Sequence, residues 1–238
     1  MEKLSITDNL NWIADRIQTA AITVGRKEDQ IRLVVVTKGH PLEIVQQAVE
    51  AGVRDIGENY VEESIPKINA LLNFNDLEWH MIGHIQSRKA RKVVENFNWI
   101  QSVDSRRLAV RLDRFAGELG KQVPVLLECN VSGEESKFGF TAWNELEWSE
   151  LAEEVDSILE LRNLKVEGLM TMPPFFADPI QARPFFIRLR KLRDYLSSQF
   201  PTYNWHELSM GMSADFEIAI QEGATIVRIG TAILGPRT

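Results

Sequence analysis

Ile31-Arg32-Leu33-Val34-Val35-Val36-Thr37-Lys38-Gly39-His40-Pro41 is the stretch that decides the fold. Its first six residues form a near-continuous aliphatic run of strand length. Such runs suit a strand buried on both faces, as in a parallel sheet. Polar and glycine residues follow at once. Pro41 then predicts a helix opening, because proline suits the first helical turn. That helix carries Ile44, Val45, Ala48 and Val49 on one face, and Gly52 ends it. The order is strand, short polar turn, helix.

The unit repeats along the chain. Strands are predicted at Ile31–Val36, Val53–Gly57, Glu78–Ile82, Trp99–Val103, Pro124–Asn130, Leu164–Met170, Glu207–Ser209 and Thr225–Ile229. Helical stretches fall near 59–72, 86–96, 105–119, 141–155, 179–199 and 214–222. Residues 6–25 open the chain with an amphipathic helix whose Leu10, Ile13, Ile17, Ala20 and Ala21 recur at helical spacing. Strict alternation implies right-handed crossovers and a parallel sheet. Eight units in this length predict a single α/β domain over 1–238, a TIM-type (β/α)8 barrel with an extra N-terminal helix. A doubly wound open sheet is the alternative, and it is disfavoured because no G-x-G-x-x-G follows the first strand.

Composition bounds the function. The 238 residues are 44% hydrophobic and 26% charged, as in an ordinary globular protein. The single cysteine, Cys129, excludes an intramolecular disulfide and fits a reducing, cytoplasmic setting. No apolar run approaches the ~20 residues that span a bilayer. Met1-Glu2-Lys3-Leu4-Ser5 lacks the basic-then-apolar pattern of a signal peptide. Residues 134–160 hold nine acidic groups and only Lys137 as a base, more than the whole net charge of −7. The acidity is therefore one segment, read as a solvated helix face. Basic residues cluster at Arg88, Lys89, Arg91 and Lys92 and again at Arg106, Arg107 and Arg111. No aromatic residues interleave with them as a single-strand platform requires, so exposed helix faces are expected and no nucleic acid.

In a barrel of this type the C-terminal strand ends carry the site. Those ends read Thr37-Lys38-Gly39-His40, Gly57-Glu58-Asn59-Tyr60, Gly83-His84, Asn130-Val131-Ser132, Thr171-Met172, Ser209-Met210-Gly211-Met212-Ser213 and Arg228-Ile229-Gly230-Thr231. Lys38 is the chemical candidate. Desolvation at an apolar barrel mouth lowers an amine's pKa and favours the nucleophilic form that a Schiff base needs. Taken alone, Lys38 also suits an amine reaching from a strand end into solvent. Ser213 reads as an N-cap before Asp215, Phe216 and Glu217. It and the Gly230 turn offer N–H donors to an anion near the last two strands, where barrels often hold phosphate. Both also suit an ordinary cap and turn. Together with Lys38 they favour a ligand with an aldehyde and a phosphate, which pyridoxal 5′-phosphate combines.

With these pieces in place the chain resembles the pyridoxal-phosphate homeostasis proteins (the YggS/PROSC family), whose barrel is like the N-terminal domain of alanine racemase. The resemblance rests on Val36-Thr37-Lys38-Gly39-His40-Pro41, Gly57-Glu58-Asn59-Tyr60-Val61, His80-Met81-Ile82-Gly83, Gln86-Ser87-Arg88-Lys89, Ser136-Lys137-Phe138-Gly139, Gly168-Leu169-Met170, Ser209-Met210-Gly211-Met212-Ser213 and Arg228-Ile229-Gly230-Thr231-Ala232. It covers nearly the whole chain. It implies that Lys38 forms the Schiff base, that Ser209, Ser213, Gly230 and Thr231 hold the phosphate, that Arg228 faces the pyridine nitrogen, and that Asn59 lies near the ring. The family usually has asparagine at Arg88 and phenylalanine at Leu234; neither lies in the cofactor motifs.

The implied function is carriage of pyridoxal 5′-phosphate within cellular homeostasis of the cofactor, without catalytic turnover. The expected partners are pyridoxal-phosphate-dependent apoenzymes, with no membrane, and the chain is expected to be a monomer. An amino-acid racemase is the first alternative. It needs an acid/base on each face of the substrate α-carbon, and Tyr60, Tyr195 and Tyr203 are the only tyrosines. The length is also expected to leave no room for a second catalytic domain. An RNA- or protein-binding adaptor is the second alternative, opposed by the acidic pI of about 5.3. His80 is expected to be structural, Cys129 to lie in the core, and Lys137 to be exposed or a transient acceptor of cofactor. The four histidines show no metal-ligand spacing.

Overall fold

The computed structural model describes residues 5–236, so the leader-pattern reading of Met1–Leu4 falls outside it. Eight parallel strands close into a barrel among the described residues. They are β1 (Arg32–Val36), β2 (Asp55–Glu58), β3 (Glu78–Met81), β4 (Trp99–Val103), β5 (Val123–Asn130), β7 (Leu164–Met170), β8 (Glu207–Ser209) and β9 (Ile226–Ile229). A two-residue strand, β6 (Phe140–Thr141), pairs only with the end of β5. Closure comes from β9 against β1, with Val34 opposite Arg228 and Val35 opposite Ile229.

The helices are α1 (Ile6–Ile22), α2 (Leu42–Glu50), α3 (Val61–Ala70), α4 (Ala90–Asn96), α5 (Arg106–Glu118), α6 (Trp148–Leu159), α7 (Arg183–Gln199), α8 (Phe216–Gln221) and α9 (Thr231–Leu234). Their apolar faces pack on the outside of the sheet and form the main core. A second, small cluster of Val34, Leu126, Met170 and Ile226 over Trp99 lies in the lumen. One face of each strand therefore feeds the outer core and the other the lumen, as the two-residue period of a strand dictates.

Several local expectations are corrected. Pro41 sits just before the first helical turn, with ψ 162°. The helix expected over 141–155 begins only at Trp148, because Phe140–Thr141 pairs with Cys129 and Asn130 and the Asn144 side chain then caps a short 3-10 turn. Asp215, not Ser213, precedes the first turn of α8. In the first basic cluster Lys89 meets Glu62 at 2.6 Å, and Arg91 meets Glu95 and Glu118 at 3.0 and 2.7 Å. No helix among the described residues is long and apolar enough to cross a membrane.

Candidate active site

Lys38 sits on the turn after β1, and its backbone is held from below. Thr37 donates its hydroxyl to Glu58 Oε1 at 2.6 Å and its N–H to the Gly57 carbonyl at 3.0 Å. Lys67 of α3 reaches under the turn. Its ammonium donates to the Thr37 carbonyl (3.0 Å), Glu58 Oε1 (2.7 Å) and Glu63 Oε1 (2.7 Å). Glu63 in turn accepts the Gly39 N–H at 2.6 Å. Burial pushes the Glu58 carboxyl above its usual range, against the pull of Lys67 and Thr37. Sequence reasoning missed Lys67 and Glu63. Their signal was a Glu–Lys pair four residues apart beside the buried face of α3.

Next to this turn lies a cavity of about 250 Å³ at the C-terminal barrel mouth. Lys38, Asn59, Ser213, Arg228, Gly230 and Thr231 all line it, with Val36, Ile82, Met172 and Met212 as apolar wall. Residues from the ends of four strands thus meet as the sequence predicted. Asn59 Oδ1 is buried there and has no hydrogen-bond partner in the protein. Such an orphan is costly unless a ligand satisfies it.

The segment after β8 turns back sharply at Gly211, where φ is +93° and an added Cβ would lie 2.6 Å from the Ala219 Cβ. Only glycine suits both the conformation and the contact. Met212 N–H donates to Asp215 Oδ1 at 2.6 Å, which fixes the loop and leaves Ser213 beside α9. The Ser213 hydroxyl accepts the Ala232 N–H at 3.4 Å. Gly230 lets the last strand approach β1 closely: a Cβ there would meet the Val36 carbonyl oxygen at 2.9 Å.

Arg228 rises from the lumen to the cavity floor and is 3% exposed. It donates to Ser209 Oγ at 2.5 Å and to the Thr171 carbonyl at 2.8 Å. Burial lowers its pKa to about 10, while Asp215 and Glu128 pull the other way. It is still a cation at neutral pH. Ser209, expected among the phosphate holders, is placed elsewhere. It is fully buried, does not line the cavity, and spends its hydroxyl on Arg228 and Gln101. Its short side chain points into the lumen one layer below the mouth.

The remaining singled-out residues fall into place. His80 is fully buried and hydrogen-bonded on both ring nitrogens. Cys129 is in the core, and burial pushes its thiol pKa up. Lys137 pairs with Glu134 at 2.7 Å and donates to the Met172 carbonyl at 3.0 Å. Tyr60 is 60% exposed and lies outside the lining of the Lys38 cavity. Tyr195 packs on Trp148, and Tyr203 donates to the Leu159 carbonyl. Among the described residues no group of three or more His, Cys, Asp or Glu side chains is placed to hold a metal ion.

The family described as alanine racemase, N-terminal domain, matches residues 8–238. The pyridoxal phosphate homeostasis protein of Aquifex aeolicus is 41% identical over 234 residues, 98% of this chain and 99% of that protein. The structure of PipY from Synechococcus elongatus PCC7942, with PLP bound, is 37% identical and superposes with a TM-score of 0.80, covering 94% of this chain and 100% of that one. An alanine racemase from Clostridium difficile 630 shares the fold alone, at 18% identity and a TM-score of 0.72 over 95% of this chain and 55% of its own. With its barrel, its strand-end motifs and near-complete coverage of such relatives, the chain belongs to the pyridoxal phosphate homeostasis protein family, built on the alanine racemase N-terminal barrel.

Proposed function

We propose that this protein binds pyridoxal 5′-phosphate in the Lys38 cavity and carries it, without catalytic turnover, as part of the cell's homeostasis of the cofactor. The observation that carries the reading is the meeting of Lys38, Asn59, Ser213, Arg228, Gly230 and Thr231 on one small cavity. The residues fit the group: an amine, a buried orphaned amide oxygen and two hydroxyl-bearing turns face an apolar slot. When bound, the cofactor supplies an aldehyde that a lysine amine captures as a Schiff base with loss of water.

The chain's own residues divide the work. Lys38 supplies the amine, on a turn that Lys67, Glu58 and Glu63 hold rigid. Ser213, Thr231 and the Gly230 backbone supply donors for the phosphate. Asn59 would hold the ring side of the group. Arg228 would hold its pyridine-nitrogen side and, being a guanidinium, would not share a proton with it. A ring so held is a weaker electron sink than one paired with a carboxylate, which suits carriage better than catalysis. None of the three tyrosines lines the Lys38 cavity, so the second base of a racemase has no evident candidate there. The recipients in this reading are pyridoxal-phosphate-dependent apoenzymes, and the carrier acts as a cytoplasmic monomer.

The purified protein mixed with pyridoxal 5′-phosphate should show a visible absorption band. Borohydride reduction and peptide mapping should place the adduct on Lys38, and Lys38→Ala should lose both signals. An adduct on another lysine would overturn the assignment. Sustained racemisation of L-alanine by the wild type would overturn carriage without turnover.

A further inference from the structure

We propose that Gln101 and His80 are positioning residues for Arg228, acting through a directional hydrogen-bond chain that runs up the barrel lumen. The proposal rests on the cofactor reading above, because Arg228 lines that cavity. The chain has five members. Asp55 Oδ1 lies 2.9 Å from His80 Nε2, and His80 Nδ1 lies 3.0 Å from Gln101 Nε2. Ser209 Oγ donates to Gln101 Oε1 at 2.6 Å and accepts from Arg228 at 2.5 Å.

The two ends fix the direction of every bond between them. Arginine can only donate, so the Ser209 oxygen must accept, and its proton must go elsewhere. The acceptor within reach is Gln101 Oε1. The amide nitrogen of Gln101 then faces His80 and donates to Nδ1. His80 therefore carries its proton on Nε2 and gives it to the Asp55 carboxylate, which can only accept. With the Gln101 amide reversed, the Ser209 hydroxyl would lose its acceptor, and a bare or extra-protonated imidazole would be needed. Burial also lowers the His80 pKa and keeps the ring neutral, as this arrangement requires.

A barrel lumen is ordinarily filled by branched aliphatic residues. Here Val34, Leu126, Met170 and Ile226 fill only part of it, and His80, Gln101 and Ser209, all fully buried, share it with them. Buried polar groups are tolerated when every member is satisfied, and such networks then specify one arrangement. The arrangement specified here is the orientation of Arg228, whose second donor meets the Thr171 carbonyl. Thr171 is itself pinned by its hydroxyl to the Cys129 carbonyl at 2.7 Å. The guanidinium is thus set from two sides before any ligand arrives, which is the preorganisation a binding site needs.

The test uses the full chain with and without pyridoxal 5′-phosphate. Nitrogen-15 NMR of the cofactor-free protein should show His80 neutral with its proton on Nε2. Gln101→Glu should convert it to the doubly protonated ring, because a carboxylate then faces Nδ1. With cofactor, Gln101→Met and Ser209→Ala should shift the absorption band in the direction of Arg228→Lys and speed cofactor release by up to about tenfold, the scale of one lost hydrogen bond. Should the glutamate variant not fold, the wild-type tautomer and the methionine variant still decide. A wild-type proton on Nδ1 would overturn the chain. So would Gln101→Met with the wild-type band and release rate while Arg228→Lys changes both. A wild type that takes up no cofactor would instead sink the cavity reading and leave the His80 tautomer to judge the chain on its own.

Discussion

Glu128 is the residue whose placement has the clearest consequence for stability. It follows Leu126 by two positions on β5 and so shares its lumen face. It is 4% exposed, and its Oε2 has no hydrogen-bond partner. Burial, with Asp104 nearby, raises its pKa from 4.5 to about 7, and Arg228 opposes the rise. The folded state therefore holds this proton more tightly than the unfolded chain. Stability from this group is full below about pH 4.5, falls as pH rises through the window to about 7, and is then flat. The loss is of the order of 3 kcal/mol at ~1.4 kcal/mol per pH unit. Glu128→Gln, which stays neutral, should match the wild type in urea unfolding near pH 4.5 and exceed it by that order at pH 8. An equal difference at both pH values would show that Glu128 does not titrate across folding. Such a residue is not legible in sequence, since an apolar run hides which of its members faces the lumen. Lys38, Asn59, Ser213, Gly230 and Thr231 were legible because each lies within four residues of a strand end. Arg228 was legible although it lies within β9, because its length carries the guanidinium to the mouth. Ser209 pairs in register with Ile226, one layer below Arg228, and is too short to reach the mouth.

Helix α3 shows what one element contributes to the site. Its Lys67 is 5% exposed and bridges Glu58, Glu63 and the Thr37 carbonyl, tying the helix to the turn that carries Lys38. Removing one partner of a buried pair leaves an uncompensated charge. Lys67→Met should therefore cost about 3–5 kcal/mol in urea unfolding. Lys67→Met combined with Glu58→Leu should recover much of that loss, because both desolvated charges then disappear together. Additive losses in the double variant would show that the two groups do not act as a pair. Cofactor uptake should remain impaired in both variants, since the Thr37 carbonyl loses its donor either way. The main elements were readable from periodicity: each expected barrel strand exists, with ends that differ by at most two residues. The smaller ones were not. Phe140–Thr141 is a strand only because the end of β5 offers it partners, a long-range pairing that no local pattern signals. Thr231–Leu234 is too short for a helical period to register, and its first turn depends on the close approach of Gly230 to Val36.

At the scale of the whole molecule the first and last described helices are joined, and the join lies behind the side of the cavity lined by Ser213, Gly230 and Thr231. Helix α1 buries Ile13, Ile17, Ala20 and Ala21 and packs on α8 and α9. Asn9 donates to the Ile233 carbonyl at 2.8 Å, and Arg16 grips Glu217 through two bonds of 3.0 and 2.6 Å. Arg26, in the turn after α1, donates to the carbonyls of Ala224 at 2.7 Å and Ile220 at 3.2 Å, covering the C-terminal end of α8. A cation at a helix C-terminus meets both free carbonyls and the negative end of the dipole. These contacts bind the first helix to elements that follow the last two barrel strands, so the seam substitutes for a covalent link in closing the outer layer. It follows that weakening the seam should act locally. Arg26→Met should cost about 1–2 kcal/mol, less than a fully buried charged hydrogen bond because the side chain is only partly buried. Amide exchange in α8, α9 and β9 should accelerate before that in β2, β3 and β4, and cofactor release should accelerate with it, since Ser213, Gly230 and Thr231 sit on those loosened elements. Uniform acceleration across all strands would mean that the barrel opens only as a whole and that the seam has no unit of its own.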